Sequence, residues 1–145
     1  KMERLMTNRK LADILTNQTL LALREHAPVQ EACRCMWEHR KGSVLVIDKN
    51  SRLIGIFTGR DAVRTLAEGR SAEVTPLAEA MTARPVTVPP TARAVDALRE
   101  MSDRGIRHLP VVENEKILGV VSRGDFKGIE IDRLDEDDHL AECLR

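Results

Sequence analysis

Two short stretches of the chain carry the same polar pair. Residues 55–61 read GIFTGRD and residues 119–125 read GVVSRGD, so that Thr58 stands three residues before Asp61 and Ser122 three before Asp125. Ser/Thr-x-x-Asp is a variant of the capping box, in which a hydroxyl and a carboxylate satisfy free backbone N–H groups at a helix start. A carboxylate in that position is also stabilised by the helix dipole, and it can accept two hydrogen bonds from the adjacent hydroxyls of a ribose. Capping and binding can coexist. For a lone match, capping is the better reading; two matches ask for a common origin or a common job.

Cationic residues surround both copies. Arg107 and His108 precede the apolar run LPVV, and neighbouring cationic donors suit a phosphate oxygen; His108 reads equally as a structural histidine. At the corresponding place in the first copy, Gly42 and Ser43 bring no charge, with Lys41 beside them as partial compensation. Arg60 directly precedes Asp61 and Arg64 lies one helical turn beyond it, adding charge to the first copy. The second copy reverses the order to Arg123-Gly124-Asp125. Such a cluster suits a ligand with more than one phosphate, or else it is a set of solvated arginines on an exposed turn.

The elements that must position these groups emerge when the repeat is extended outward. SRLIGIFTGRD lies against EKILGVVSRGD, and KGSVLVID, after a one-residue gap, against IRHLPVVE. Each half thus carries two β-rich runs. Upstream, Val29, Ala32, Cys33 and Met36 in one half, and Ala94, Ala97, Leu98 and Met101 in the other, follow the spacing of a helix with one buried face. Pro28 marks the start of the first helix and Pro89 with Pro90 precedes the second, while Gly42 and Gly105 follow their ends as stop signals. After each aspartate a further helix is predicted, AVRTLAEG from Ala62 and FKGIEIDRL from Phe126. Short extended pieces, LLAL at 20–23 and PVTV at 85–88, lead into the halves. The expected division is one repeat over 10–69, a linker at 70–76, a second repeat over 77–130 and an acidic helix or tail over 131–145. Half of this chain, about 60 residues, buries too little surface to be comfortably stable alone, so an α/β body of two halves packed sheet to sheet is expected.

Composition narrows the function. At 145 residues, 42% apolar and 32% charged, the chain has the balance of one soluble globular domain with an aliphatic core. Trp37, Phe57 and Phe126 are the only aromatics, too few to stack nucleic-acid bases, and 23 basic against 23 acidic residues leave no excess for a phosphate backbone. No nucleic-acid partner is expected. No window is long and apolar enough to span a bilayer, and KMERLMTNRK lacks the apolar run of a signal peptide, so a cytoplasmic protein without a membrane partner is expected. Three cysteines suit a reducing compartment.

The order of extended entry, amphipathic helix, RHLPVV-like strand, second strand and G-h-h-[ST]-x-x-D resembles a tandem pair of cystathionine β-synthase (CBS) domains, a Bateman module. The resemblance covers about residues 10–128. GIRHLPVV followed by GVVSRGD is quite specific, whereas KGSVLVI diverges at Gly42, Ser43 and Leu45. The resemblance implies an adenosine-containing ligand, with AMP, ADP, ATP or NAD as candidates, held in clefts between the repeats and reported to an effector protein. It implies Thr58, Asp61, Ser122 and Asp125 at the ribose, and Arg107 and His108 at the phosphates of a ligand held mainly by the opposite repeat. It further implies an apolar adenine slot from Leu21 and Val44 in one half and Val86 and Ile106 in the other. Homodimerisation follows from the habit of the family, with the amphipathic helices or a tail helix over 132–144 as interface.

Other constellations compete less well. Cys35 and His39 at i, i+4 could share a metal, but Cys33 and Cys35 point to different faces of a helix. Asp137, Asp138, His139, Glu142 and Cys143 form an acidic run of the kind that is usually solvated. No nucleophile motif, P-loop or GxGxxG is present, so neither an enzyme nor a catalytic cofactor is expected. A ligand-independent dimerisation or scaffold module, whose Ser/Thr-x-x-Asp turns only cap helices, remains the rival reading.

Overall fold

The computed structural model describes residues 9–15 and 18–126. In chain order it contains α1 (Leu11–Ile14), β1 (Ala22–Arg24), α2 (Val29–His39), β2 (Ser43–Ile47), β3 (Leu53–Thr58), α3 (Gly59–Ala67), α4 (Leu77–Ala80), β4 (Thr82–Ala83), α5 (Ala94–Arg104), β5 (His108–Glu113) and β6 (Lys116–Ser122). A 3₁₀ turn at Arg123–Asp125 follows β6. The mixed α/β class matches the expectation. The helix expected from FKGIEIDRL and the acidic tail with Asp137 to Cys143 lie outside the described residues, apart from Phe126.

Two compact units form, and neither is one continuous stretch of chain. The first is Thr19–Val86 with Asn114–Ile117; the second, of its described residues, holds 9–15, Gln18, 87–113 and 118–126.

The first unit is built on a four-stranded sheet in the order β1-β2-β3-β4. β1 runs parallel to β2, and a parallel neighbour needs a crossover, which α2 supplies. α2 buries Val29, Ala32 and Met36 against Val44, Val46 and Phe57, and Leu77 and Ala80 of α4 close the same cluster. On the opposite face of β2, Leu45 is fully buried as well, in keeping with the unbroken apolar run SVLVI. β2 and β3 pair antiparallel with Ser43 opposite Thr58, and β4 adds Thr82 opposite Ile56.

Local chemistry sets the ends of the helices. Pro28 gives α2 no side-chain cap. Instead, the expected linker closes over its first turn: Thr75 O accepts from Val29 N and Ala72 O from Gln30 N, both at 2.9 Å. Gly105 takes the left-handed position after α5 at φ 65°, as expected of a stop signal. After α2 that position falls not to Gly42 but to Arg40, at φ 54°; Gly42 lies two residues further, at the head of β2. α3 starts at Gly59 rather than Ala62, because the capping box of Thr58 turns the three residues after it into the first helical turn.

β5 and β6 form a two-stranded sheet that lies in the second unit except for its turn and the first two residues of β6, and Val88 bridges in parallel to Val111. Of PVTV, only Val88 pairs. The hairpin turns at Asn114 and Glu115, both at positive φ, which two-residue hairpins favour. Ala94, Ala97, Leu98 and Met101 of α5 are all buried, as their spacing predicts, together with Leu109, Val111, Val121 and Leu11.

The short helices α1 and α4 play matching parts. Leu77 N donates to Ala27 O and Ala78 N to Glu25 O in the first unit; Leu11 N donates to Ala92 O and Ala12 N to Pro90 O in the second. Bridges Pro28 to Pro76 and Lys10 to Arg93 repeat the pattern. Each unit therefore docks a short helix drawn from distant sequence. Among the described residues, no helix is long and apolar enough to cross a membrane.

Candidate functional site

The two aspartates at the strand ends have different surroundings. Asp61 is 5% exposed and sits in the first turn of α3, where Thr58 caps the helix. Its Oδ2 accepts from Thr58 N at 3.0 Å and from Thr58 Oγ1 at 3.2 Å. Its Oδ1 accepts from Thr82 Oγ1 at 3.3 Å and faces Arg64 Nη2 at 3.2 Å. Arg64 also donates to Ala80 O, at the end of α4. The capping reading of GIFTGRD is thus realised in full, with α4 and β4 tied in.

Thr82 was not legible as a member of this group. It lies 21 residues from Asp61, beyond the linker, and no motif marks it.

Around Asp125 the arrangement is open. The residue is exposed, and its Oδ2 accepts from Ser122 N at 2.7 Å and Ser122 Oγ at 3.2 Å. Its Oδ1 has no partner among the described residues. Arg123 N donates to Arg107 O at 3.0 Å, which brings the start of β5 against the end of β6. His108 is half-buried; burial pulls its pKa down first and neighbouring Arg107 adds to this, while the Asp125 carboxylate opposes. Arg9 Nη2 reaches Asp125 O at 3.4 Å. Arg107, His108, Ser122, Arg123 and Asp125 therefore converge within one unit, with Arg9 as an addition that the sequence did not announce.

The remaining candidates are dispersed. Arg60 is exposed on the first turn of α3, and Lys41 is exposed where it lines a groove of ≈ 860 Å³ with Trp37, Cys33 and Ala62. Of the residues named for adenine, Val44 is 1% exposed and packed in the core of the first unit, with Leu21 partly buried against it. Val86 and Ile106 are half-buried. His39 Nδ1 donates to Cys35 O at 2.9 Å, and burial raises the Cys33 thiol. Among the described residues, no three His, Cys, Asp or Glu side chains are grouped to hold a metal.

Comparison with known proteins matches the CBS domain model twice, over residues 11–68 and 77–131. CBS domain-containing protein YhcV of Bacillus subtilis is 34% identical over 115 residues, covering 79% of this chain and 80% of that protein. CBS domain-containing protein CBSCBSPB2 of Arabidopsis thaliana is 38% identical over 102 residues, 70% of this chain, which span only 19% of its own length. Among solved structures, a CBS-domain protein from Burkholderia ambifaria is 30% identical with a TM-score of 0.76, covering 81% of this chain and 90% of that one. A CBS domain protein from Pyrobaculum aerophilum complexed with AMP has a TM-score of 0.79 at 23% identity, covering 88% and 99%. A CBS domain pair in complex with 5′-methylthioadenosine and S-adenosyl-L-methionine has a TM-score of 0.75 at 23% identity, covering 90% and 98%. With two family matches in tandem, a strand-capped Ser/Thr-x-x-Asp in each and the fold of solved CBS pairs, the chain belongs to the CBS-domain family.

Proposed function

We propose that the chain is a regulatory module that binds an adenosine-containing ligand, with AMP, ADP, ATP or NAD as candidates, and passes the level of that ligand to an effector protein without catalysing a reaction. The observation that carries this reading is the convergence at the end of β6. Asp125 offers acceptor positions for a ribose diol, and Arg107, His108 and Arg123 are gathered at the same strand ends with charge to offer phosphate oxygens. Fold relatives solved with AMP, or with methylthioadenosine and S-adenosylmethionine, support the ligand class. The balanced charge and scarce aromatics argue against a nucleic-acid partner, and a cytoplasmic setting suits the reduced cysteines.

The module acts as a homodimer in this reading. Trp37 on α2 and Val63 and Leu66 on α3 are 86%, 65% and 77% exposed, a large apolar display that a second copy would cover. The effect of a ligand on the effector is limited to its differential affinity for the module's two states.

A melting series against AMP, ADP, ATP, NAD and S-adenosylmethionine, with GTP as control, tests the proposal. Ligand at about 100 times its dissociation constant stabilises by roughly 2.7 kcal/mol, enough to raise the midpoint by several degrees. The same response to GTP, or none to any compound at millimolar concentration, would favour a ligand-independent dimerisation module. The full engagement of Asp61 is the observation on that rival's side.

A further inference from the structure

We infer that the two Ser/Thr-x-x-Asp turns have divided roles: Asp61 is a positioning carboxylate that latches α4 and β4 onto α3, and Asp125 alone receives a ribose diol, so that each chain takes one adenosine ligand rather than two. The inference rests on the adenosine-binding reading above and concerns which repeat carries it.

A carboxylate offers about four acceptor positions. In the first unit the protein itself fills four: Thr58 N and Thr58 Oγ1 on Oδ2, Thr82 Oγ1 and Arg64 on Oδ1. A diol arriving there would exchange one charge-assisted contact for another, and would strip the Arg64 guanidinium of its carboxylate beside Ala80 O. It gains nothing net and loosens the segment that completes the core with Leu77 and Ala80. In the second unit, among the described residues, two positions are filled, both on Oδ2 and both by Ser122. Oδ1 keeps its two for the two hydroxyls of a diol.

The sequence supports the same asymmetry. The residue three beyond Asp61 is Arg64, whereas the residue three beyond Asp125 is Gly128, which has no side-chain donor. The matching backbone bonds Arg123 N to Arg107 O and Gly59 N to Gly42 O make Gly42 and Ser43 the counterparts of Arg107 and His108, so the two aspartates differ in the strand starts paired beside them as well. The first unit keeps exposed Lys41 and Arg60 near Asp61, but the positions matching Arg107 and His108 carry no charge there.

Titration calorimetry with AMP and with ATP, paired with melting curves, tests the division. Wild type is expected to take one nucleotide per chain. Asp125→Asn should weaken binding at least ~10-fold while leaving the melting midpoint near wild type. Asp61→Asn should lower the midpoint by several degrees and, below its own transition, keep the wild-type affinity within about threefold. Should Asp61→Asn fail to fold, Thr82→Val removes one latch contact and carries the same expectation in milder form. Two nucleotides per chain, or weakened binding in folded Asp61→Asn or Thr82→Val, would overturn the inference. If neither nucleotide binds wild type, the adenosine reading falls and the assignment of Asp125 with it; the latch is then judged by the midpoints alone, and equal losses in Asp61→Asn and Asp125→Asn would overturn that too.

Discussion

Gln18 pairs with Val120 as a strand would, using a side chain. Its Nε2 donates to Val120 O and its Oε1 accepts from Val120 N, both at 2.7 Å, so one amide closes both backbone groups on the edge of β6. In the first unit the equivalent edge is closed by backbone, with Thr82 opposite Ile56. Gln18→Ala leaves Val120 unsatisfied in a half-buried setting and should cost about 1–3 kcal/mol, measured by urea unfolding. Gly119→Ala should be destabilising as well, since its Cβ would meet Gln18 Oε1 at 2.5 Å and Leu15 Cδ2 at 2.9 Å.

Arg40 holds a left-handed backbone with an exposed side chain. Arg40→Gly removes the Cβ penalty at a helix terminus where Gly105 already does the same task for α5, and a gain of about 1 kcal/mol is expected. Urea unfolding of the two proteins side by side measures it; a loss of stability would mean that the arginine contributes a contact in solution.

His108 makes both stability and binding depend on pH. Its folded pKa lies below the ordinary histidine value, first through burial and then through Arg107, with Asp125 opposing. The folded state therefore prefers the neutral ring, and its contribution is complete above the unfolded pKa of about 6.5 and lost as pH falls through the folded pKa. A bound phosphate reverses the preference, since it favours the imidazolium. Between pH 8 and 6.5, AMP affinity should therefore rise with falling pH, that of adenosine should stay level, and His108→Asn should flatten the AMP profile.

Trp37 is the single tryptophan, and it is 86% exposed in one chain. Its emission should shift to the blue as protein concentration rises, if the α2–α3 face meets a second copy. Trp37→Ala should then move the sedimentation profile toward monomer with little change in the stability of the single chain, because the ring contributes almost nothing to the core. An unchanged dimer in this variant would place the interface elsewhere.

Much of the fold was legible because the repeat supplied each reading twice. The spacing of Ala94, Ala97, Leu98 and Met101 and the apolar runs SVLVI and HLPVV announced their elements directly. What escaped depended on sequence-distant partners. Thr82 and Arg9 have no motif, and the difference between Asp61 and Asp125 lies in what other segments donate to them. Val44 reads equally as pocket or core from its type, and only packing places it in the core. Gly42 misled because glycine is the usual left-handed residue, yet the helix reached that point two residues earlier, on an arginine.

The crossed use of α1 and α4 sets an order of events for a chain emerging from the ribosome. The first unit draws nearly all its pairings from one stretch, Thr19–Val86, and can consolidate early. Lys10 and Gln18 are made before any of it, yet their partners Arg93 and Val120 appear only after it; the Gln18–Val120 bond spans 102 positions. Closing so long a span is slow compared with local pairing. The earlier segment therefore docks after the unit made behind it, and until then Leu11 must wait without its pocket, which leaves the nascent chain open to proteases and chaperones.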